Sequence, residues 1–245
     1  MQINPKLIKK QFEKSLNTYN QNAVVQKVMA EKLVDNLQKI RVDFENILEL
    51  GCGTGILTNE IVKKINFKNY CANDLIEKSK FYVEDIIPNT KFYCGNAQHI
   101  KLQQKQDLII SNAMFQWFKN LEKASLYYKK ALKPSGILAF TSFSEKNFSE
   151  IRELTGISLD YLSFQDIKKA IEKNYKILYS EEFEQKLSFS NPLELLAHMK
   201  NTGVNSLTLQ HWTFGDVKKF CEDYNKRFPD ITLTYAPVIV ICSNK

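Results

Sequence analysis

Short apolar runs alternate with amphipathic segments along the middle of the chain. Five runs have the length of buried strands, and apolar residues recur at helical spacing between them; the runs cover residues 47–50, 70–73, 91–94, 107–112 and 137–141. This alternation predicts a doubly wound α/β domain with a mostly parallel sheet. Residues 175–189 and 231–242 alternate like strands as well, and we expect them to pair as an antiparallel edge that completes a seven-stranded sheet.

Helical periodicity flanks this core on both sides. Residues 6–39 predict two amphipathic helices with a break at residues 17–20, which form either a packing layer or an N-terminal lid. Residues 190–229 predict a helical cap inserted between the last two strands. We expect residues 1–245 to form a single domain with residues 44–142 as its binding core.

Three glycines at alternate positions follow the first strand. Gly51, Gly53 and Gly55 come directly after an apolar run that contains one acid, Glu49, and they lead into a helix. Glycine tolerates positive φ and lets the backbone approach a ligand, and the first amides of the helix lack intrahelical partners. A dinucleotide fold needs its third glycine at position 56, where this chain has Ile56. The turn therefore predicts a cradle for a different cofactor.

Composition and charge exclude several classes of protein. The chain has 245 residues, of which 44% are hydrophobic, and its formal charge of +7 comes mostly from scattered lysines. No basic block interleaved with aromatic residues indicates nucleic acid, whereas an anionic protein partner is favoured. No apolar run is long enough to span a membrane. Five scattered cysteines without metal-ligand spacing indicate reduced thiols in a cytoplasmic protein without a metal site.

Polar and aromatic residues follow the later strands of the predicted sheet. Asp74 ends the second strand, where it can accept hydrogen bonds from two ribose hydroxyls or cap the next helix. The exit of the fourth strand contains Gln116 and Trp117, and an aromatic face there would stabilise a cationic group. Their neighbours Phe115 and Phe118 are expected in the hydrophobic core.

The glycine turn with its preceding acid resembles the first motif of class I S-adenosylmethionine-dependent methyltransferases. The sequence L-K-P-S-G at residues 132–136 is a second shared feature. The resemblance implies a Rossmann-like fold with S-adenosylmethionine as cofactor. An acid is common where this chain has Asn96, whose carbonyl can accept the same bond from an adenine amino group. The residues implied to bind the cofactor are Gln26, Glu49, Gly51, Cys52, Gly53, Gly55, Asp74, Leu75, Asn96, Ala97 and Asn112.

Three longer phrases resemble a narrower family. They are FEKSLNTYN at residues 12–20, SNAMFQW at 111–117 and HMKNTGVN at 198–205, and they are similar to the malonyl-acyl-carrier-protein O-methyltransferases of biotin synthesis. The likeness covers nearly the full length. It implies methyl transfer to the free carboxylate of a malonyl thioester, carried by acyl carrier protein or coenzyme A. Masking that charge lets the enzymes of fatty acid synthesis elongate the product as a primer.

This reaction does not require a general base, because a carboxylate is already ionised at neutral pH. The protein must instead orient the substrate against the methyl donor. We expect Tyr19, Gln116 and Trp117 to lie around the transferred methyl group. A cation should orient the substrate carboxylate, and Arg152, just past the fifth strand, can offer a bidentate fork. Arg152 could instead pair with a neighbouring glutamate on the surface, and Lys200 in the cap is a second candidate.

Two other functions remain open from the sequence. A different class I methyltransferase, acting on a small carboxylic acid or a quinone precursor, would share the cofactor residues, but a carbon or phenol target would need a base or metal. A non-catalytic module could bind the cofactor or a partner protein on the same scaffold. His99, His198 and His211 have no motif partner, and we expect them at the surface or in packing roles.

Overall fold

A computed structural model describes residues 5–100, 104–203 and 212–244. The strands are β1 (Asp43–Leu50), β2 (Asn66–Asp74), β3 (Lys91–Cys94), β4 (Gln106–Ser111), β5 (Leu132–Phe143), β6 (Tyr175–Glu182), β7 (Gln185–Ser188), β8 (Thr232–Tyr235) and β9 (Pro237–Asn244). Seven of them form one sheet in the order β3-β2-β1-β4-β5-β9-β6, and β7 and β8 form a separate two-stranded sheet.

Helices cover both faces of the large sheet. They are α1 (Pro5–Asn22), α2 (Val24–Gln38), α3 (Ile56–Lys64), α4 (Ser79–Ile86), α5 (Leu121–Ala131), α6 (Ser149–Thr155), α7 (Phe164–Glu172), α8 (Pro192–Asn201) and α9 (Phe214–Arg227). Leu108 and Ile110 on β4 pack with the face covered by α2, α3 and α4, whereas Ile109 packs with the face covered by α5 and α7. Successive residues of a strand point to opposite faces, so a continuous apolar run supplies both cores.

The seven-stranded, mostly parallel sheet of the prediction is confirmed. Strands β1 to β5 pair in parallel, and β9 pairs antiparallel with both β5 and β6 at one side of the sheet. The two predicted strands at residues 175–189 and 231–242 are each interrupted, and their outer halves pair with each other as β7 and β8. The interruption has a local cause, because the amide of Ala236 donates to the side chain of Asn147 at 3.1 Å.

The break between the first two helices lies at Ala23, whose ψ of 49° departs from helical values. The predicted break at residues 17–20 is therefore wrong. Side chains in that stretch bond back to the helix: Thr18 Oγ1 donates to the carbonyl of Ser15 at 3.1 Å, and Asn22 Nδ2 donates to that of Thr18 at 2.7 Å. The helix α1 thus continues through this polar stretch, whose side chains bond to carbonyls of the preceding turn.

The predicted cap region contains α8 and α9, which pack with the small sheet and with α2. A shared hydrophobic cluster includes Val25 and Met29 of α2, Leu195 of α8, Tyr224 of α9 and Leu233 of β8. Residues 204–205 of the cap phrase and the predicted packing residue His211 lie outside the described residues. Among the helices that the structure describes, none combines the length and the hydrophobicity that crossing a membrane requires.

Candidate active site

The glycine turn follows β1 in a left-handed backbone conformation. Gly53 and Gly55 have φ angles of 54° and 78°. A Cβ atom on Gly55 would lie 2.5 Å from Cδ1 at the end of the Ile86 side chain, and the left-handed φ at this position requires glycine. A Cβ atom on Gly53 would meet nothing within 4 Å, because this side of the turn faces open space. The turn is thus packed on one side and accessible on the other.

A cavity of about 700 Å³ lies on the accessible side of the turn, at the carboxyl ends of β1, β2 and β4. Strand ends of open α/β sheets converge at such a crevice. Most predicted site residues line this cavity; they are Tyr19, Glu49, Gly51, Cys52, Gly53, Asp74, Leu75, Asn96, Ala97, Asn112, Gln116 and Trp117. Residues from the first helix and from four strand ends are therefore brought to one place.

Glu49 is the charged group at the bottom of the cavity, and it is fully buried. Its Oε2 accepts a hydrogen bond from Thr58 Oγ1 at 2.6 Å and a second one from the hydroxyl of Tyr70. Its Oε1 is buried without a hydrogen-bond partner among the described residues. Burial raises the pKa of Glu49 to about 7, against the lowering effect of the two hydrogen bonds. An unsatisfied carboxylate oxygen in a cavity fits a ligand that carries an ammonium group.

Asp74 connects the end of β2 to the glycine turn. Its Oδ2 accepts from the amide of Gly53 at 2.8 Å, and its Oδ1 accepts from the amide of Ile76 at 2.9 Å. Burial raises the pKa of this carboxyl, and the backbone hydrogen bonds oppose the shift. Helix α4 begins after Lys78, so Asp74 does not cap it. Its position beside the cavity is the one expected for a carboxylate that accepts from vicinal hydroxyls.

The loop after β3 forms the end of the cavity beyond Asp74. Asn96 Oδ1 accepts from the amide of Gln98 at 3.0 Å, which starts a single helical turn at Ala97. The carbonyl of Ala97 in turn accepts from the hydroxyl of Tyr128 at 2.8 Å. The amide oxygen of Asn96 therefore has one acceptor position left for an exocyclic amine.

Aromatic rings form the wall between the first helix and the exit of β4. The ring of Phe12 contacts Tyr19 at a centroid distance of 6.2 Å and Trp117 at 6.0 Å. Burial raises the pKa of Tyr19, and the nearby Asp74 carboxylate raises it further, so the phenol stays protonated. Sequence reasoning did not select Phe12 as a site residue, although it is the first aromatic residue of the phrase that contains Tyr19.

Gln116 lies in the same wall with its side-chain amide fixed in orientation. Its Nε2 donates to the carbonyl of Ala113 at 2.6 Å, and its Oε1 is buried without a partner among the described residues. The expectation that Phe115 belongs to the core is confirmed, since it is buried and stacks on Phe140 at 4.1 Å. Phe118 packs against Phe115 but also lines the cavity.

Two predicted cofactor residues support the cavity from behind instead of lining it. Gln26 is buried on α2, and its carbonyl accepts from Asn112 Nδ2 at 2.9 Å. The Oδ1 atom of Asn112 accepts from Thr141 Oγ1 at 2.7 Å, so this asparagine is held from both sides. Gly55 caps the start of α3. These contacts link α2, β4 and β5 directly behind the cavity wall.

The two cations predicted to orient a substrate carboxylate lie outside the cavity lining, which corrects that expectation. The guanidinium of Arg152 donates to the carbonyl of Glu145, so it is turned toward its own connecting loop. The alternative partners Glu150 and Glu153 bond to other residues. Lys200 is exposed in the last turn of α8. For Arg152, a position just past a strand did not determine the direction of the side chain.

Lys9 and Lys119 are the lysines that line the cavity, and sequence reasoning selected neither. Lys9 lies one helical turn before Phe12, and Lys119 lies two residues after Trp117. Their closeness in sequence to Phe12 and Trp117 is the feature of the sequence that could have indicated a position at the cavity. Among the described residues, no group of three or more histidine, cysteine, aspartate or glutamate side chains is arranged to hold a metal ion.

Comparison with known proteins gives a consistent result. Residues 48–140 match a family model described as a methyltransferase domain. Proteins named malonyl-[acyl-carrier protein] O-methyltransferase from Calditerrivibrio nitroreducens and Bacteroides thetaiotaomicron are 38% and 35% identical to this chain. The alignments cover 96% and 99% of this chain, and 95% and 99% of those proteins.

Solved structures show the same fold at much lower identity. The N-methyltransferase NodS from Bradyrhizobium japonicum, in complex with S-adenosyl-L-homocysteine, has a TM-score of 0.61 at 10% identity, covering 97% of this chain and 98% of its own. The [4+2]-cyclase SpnF has a TM-score of 0.57 at 16% identity, covering 87% and 81%. Because one scaffold carries different named reactions, these structures establish the fold alone.

Proposed function

Because the chain belongs to the family of malonyl-[acyl-carrier protein] O-methyltransferases, we propose that it transfers a methyl group from S-adenosylmethionine to the free carboxylate of malonyl-acyl carrier protein. The product is the malonyl methyl ester that primes pimeloyl synthesis in biotin formation. One observation carries the proposal: the buried Oε1 of Glu49 has no hydrogen-bond partner in the part of the chain that the structure describes, and it lies in a cavity built from a methyltransferase turn. A cationic amino acid at that position would satisfy it.

The residues of the cavity fit the groups of this donor in order along its length. Glu49 would accept from the ammonium, Asp74 from the ribose hydroxyls and Asn96 from the adenine amine, with Leu75 and Ala97 packed beside the base. When bound, S-adenosylmethionine supplies an electrophilic methyl group on a positively charged sulfonium. The backbone of Gly53 leaves room for close approach of the donor, since its open side faces the cavity.

The acceptor side of the proposed reaction needs orientation and exclusion of water. The protonated phenol of Tyr19 can donate to one oxygen of the substrate carboxylate and leave the other free to react. Trp117 presents an aromatic surface, and Gln116 presents its unpartnered Oε1, to positive charge in the cavity. A carboxylate is ionised at neutral pH, so no residue has to remove a proton from it. Family membership favours this substrate over a quinone precursor or a non-catalytic role.

The proposed partner is consistent with the charge of the chain. A formal charge of +7 favours encounter with an acidic carrier protein through electrostatic steering. All five cysteines are free thiols, which fits a reducing compartment such as the cytoplasm.

Intact-mass analysis of acyl carrier proteins tests this function. Malonyl-loaded carrier is incubated with the protein and S-adenosylmethionine, with malonyl-coenzyme A and acetyl-loaded carrier in parallel. We expect a gain of one methyl mass, about 14 daltons, on the malonyl carrier and none on the acetyl carrier, which has no free carboxylate. Cofactor binding by calorimetry without methylation of either malonyl thioester would overturn the proposal.

A further inference from the structure

The charged residues that line the cavity differ in their exposure to solvent. The carboxylates of Glu49 and Asp74 lie inside, with exposed fractions of 0% and 9%. The charged groups at the mouth are Lys9, Lys119 and Asp160; the side chain of Lys9 is 44% exposed, and the other two residues are exposed. Negative charge inside suits a cationic donor. The positively charged lysines at the mouth do not contribute to binding of this cationic donor.

Lys9 and Lys119 come from two elements that meet at the cavity. Lys9 precedes Phe12 by three positions on α1, so their side chains share one face of the helix. Phe12 contacts Trp117 edge to face at a centroid distance of 6.0 Å, and Lys119 follows Trp117 by two residues. The first helix and the exit of β4 thus each contribute one lysine to the lining.

The fold does not use these two charges. Lys119 forms neither an ion pair nor a hydrogen bond with the described residues, and Lys9 has only a 4.0 Å pair with Glu13 on its own helix. An exposed pair at that distance contributes little to stability. By contrast, Lys32 and Lys64 each form an ion pair of 2.7 Å between separate elements. The two lysines at the mouth are thus available to a ligand.

The acceptor of the proposed reaction has a second anionic group besides its carboxylate. An acyl carrier presents its acyl chain on a long prosthetic arm that is attached through a phosphate. The malonyl end must enter the cavity, whereas burial of the phosphate would carry a large desolvation cost, so the phosphate stays at the mouth. Two ammonium groups there match its charge.

We propose that Lys9 and Lys119 bind the phosphate of the acceptor's prosthetic arm at the mouth of the cavity. This inference rests on the proposed function and specifies how the carrier is positioned. Lys9 and Lys119 are thus the cations of the cavity lining, where Arg152 and Lys200 were expected. The anion assigned to them is the phosphate of the arm and not the substrate carboxylate. The reacting carboxylate is left to neutral donors such as Tyr19, which do not neutralise its charge.

A pair of small acceptors that differ only in the phosphate tests the assignment. Malonyl-pantetheine and malonyl-phosphopantetheine are compared by kcat/KM with the wild-type protein and with the double variant Lys9→Gln, Lys119→Gln. We expect the wild-type protein to prefer the phosphorylated acceptor by about three- to ten-fold, and this preference to shrink with added salt. In the double variant the ratio should fall to about one.

The control is a second double variant with the same loss of charge, Lys14→Gln with Lys123→Gln, at exposed positions outside the cavity. It should keep the preference for the phosphate. Calorimetry with S-adenosylmethionine verifies that each variant still binds the cofactor.

Three results would overturn the assignment: no preference in the wild-type protein, a preference that survives in the double variant of Lys9 and Lys119, or an equal loss on both acceptors. The last result would mean that the lysines hold the carboxylate or the first helix. Failure of the proposed function looks different, since the wild-type protein would then methylate neither acceptor while it still binds S-adenosylmethionine.

Discussion

Thr54 Oγ1, in the glycine turn, donates a hydrogen bond of 2.5 Å to Asn20 Oδ1 on α1. Thr54 is buried and lines the cavity, whereas Asn20 is exposed on the last turns of the first helix. The same helix contacts the opposite wall through Phe12 and Trp117. The first helix is thus attached to both walls of the cavity.

Loss of this attachment should weaken cofactor binding. In Asn20→Ala the hydroxyl of Thr54 loses its partner, at a cost of about 1 kcal/mol, so the Kd for S-adenosylmethionine should rise about five-fold by calorimetry. Asn17→Ala makes the same change at an exposed position of α1 and serves as the control. An equal effect of both substitutions would indicate loss of helix stability instead of loss of the bond.

Cofactor binding should release a proton from Glu49 at pH 6. The pKa of Glu49 is raised by burial to about 7, so most of the free protein carries a protonated carboxyl at that pH. A bound ammonium favours the charged form and lowers this pKa, so affinity should fall as the pH drops below 7. Calorimetry in buffers of different ionisation enthalpy measures the proton. Glu49→Gln should abolish the release, and release that persists in this variant would contradict the assignment.

Tyr19→Phe should reduce turnover without affecting the donor. Removal of one hydroxyl that orients the substrate carboxylate should lower kcat by about ten- to hundred-fold, and the Kd for S-adenosylmethionine should stay within about two-fold. Tyr82→Phe, on α4 and outside the cavity lining, is the matched control and should retain full turnover. If Tyr19→Phe changed only cofactor affinity, the phenol would belong to the donor side.

Acid should remove a stabilising contribution of His198. Its Nε2 lies 2.7 Å from the hydroxyl of Tyr235, and burial lowers the pKa of His198 from 6.5 to about 4. Between pH 6.5 and 4 the unfolded chain binds a proton at this histidine that the folded chain does not, so its contribution to the free energy of unfolding should fall by up to about 3 kcal/mol as the pH falls, while the raised pKa of the buried Glu49 acts in the opposite direction. Denaturant unfolding of the wild-type protein and of variants at pH 8, 6.5 and 5 measures this contribution.

Two substitutions separate His198 from the rest of the acid response. On acidification, the free energy of unfolding of His198→Gln should rise relative to that of the wild-type protein by up to about 3 kcal/mol, whereas His99→Gln, changed at an exposed position, should keep the wild-type pH dependence. The same pH dependence in both variants would show that His198 makes no such contribution.

The cofactor half of the cavity was predictable because its requirements are local. Left-handed φ angles favour glycine at positions 53 and 55. Asp74 ends a parallel strand, and this position places it at the crevice independently of the conformation of the loops. The sequence pattern therefore identified both the turn and the acid. The raised pKa values of Glu49 and Asp74 were not predictable, because they result from burial in the folded protein, which a local sequence pattern does not show.

The acceptor half was less predictable because it depends on contacts between distant segments. Arg152 follows β5 as expected, but a bond to the carbonyl of Glu145 turns its side chain away from the cavity. Phe12 and Lys9 line the cavity from α1, which continues unbroken to Asn22. The polar stretch at residues 17–20 lies inside this helix, although it interrupts the apolar periodicity.

Strand β9 is inserted between β5 and β6, and residues 238–242 at its centre are completely buried. During synthesis, β6 has no neighbour in the sheet until residues 237–244 have been made, whereas β1 to β5 can already pair with one another. Until then, the apolar edge of β5 has no neighbouring strand and is open to other strands. The order of strands in this enzyme makes the newly made chain a candidate for protection by a chaperone.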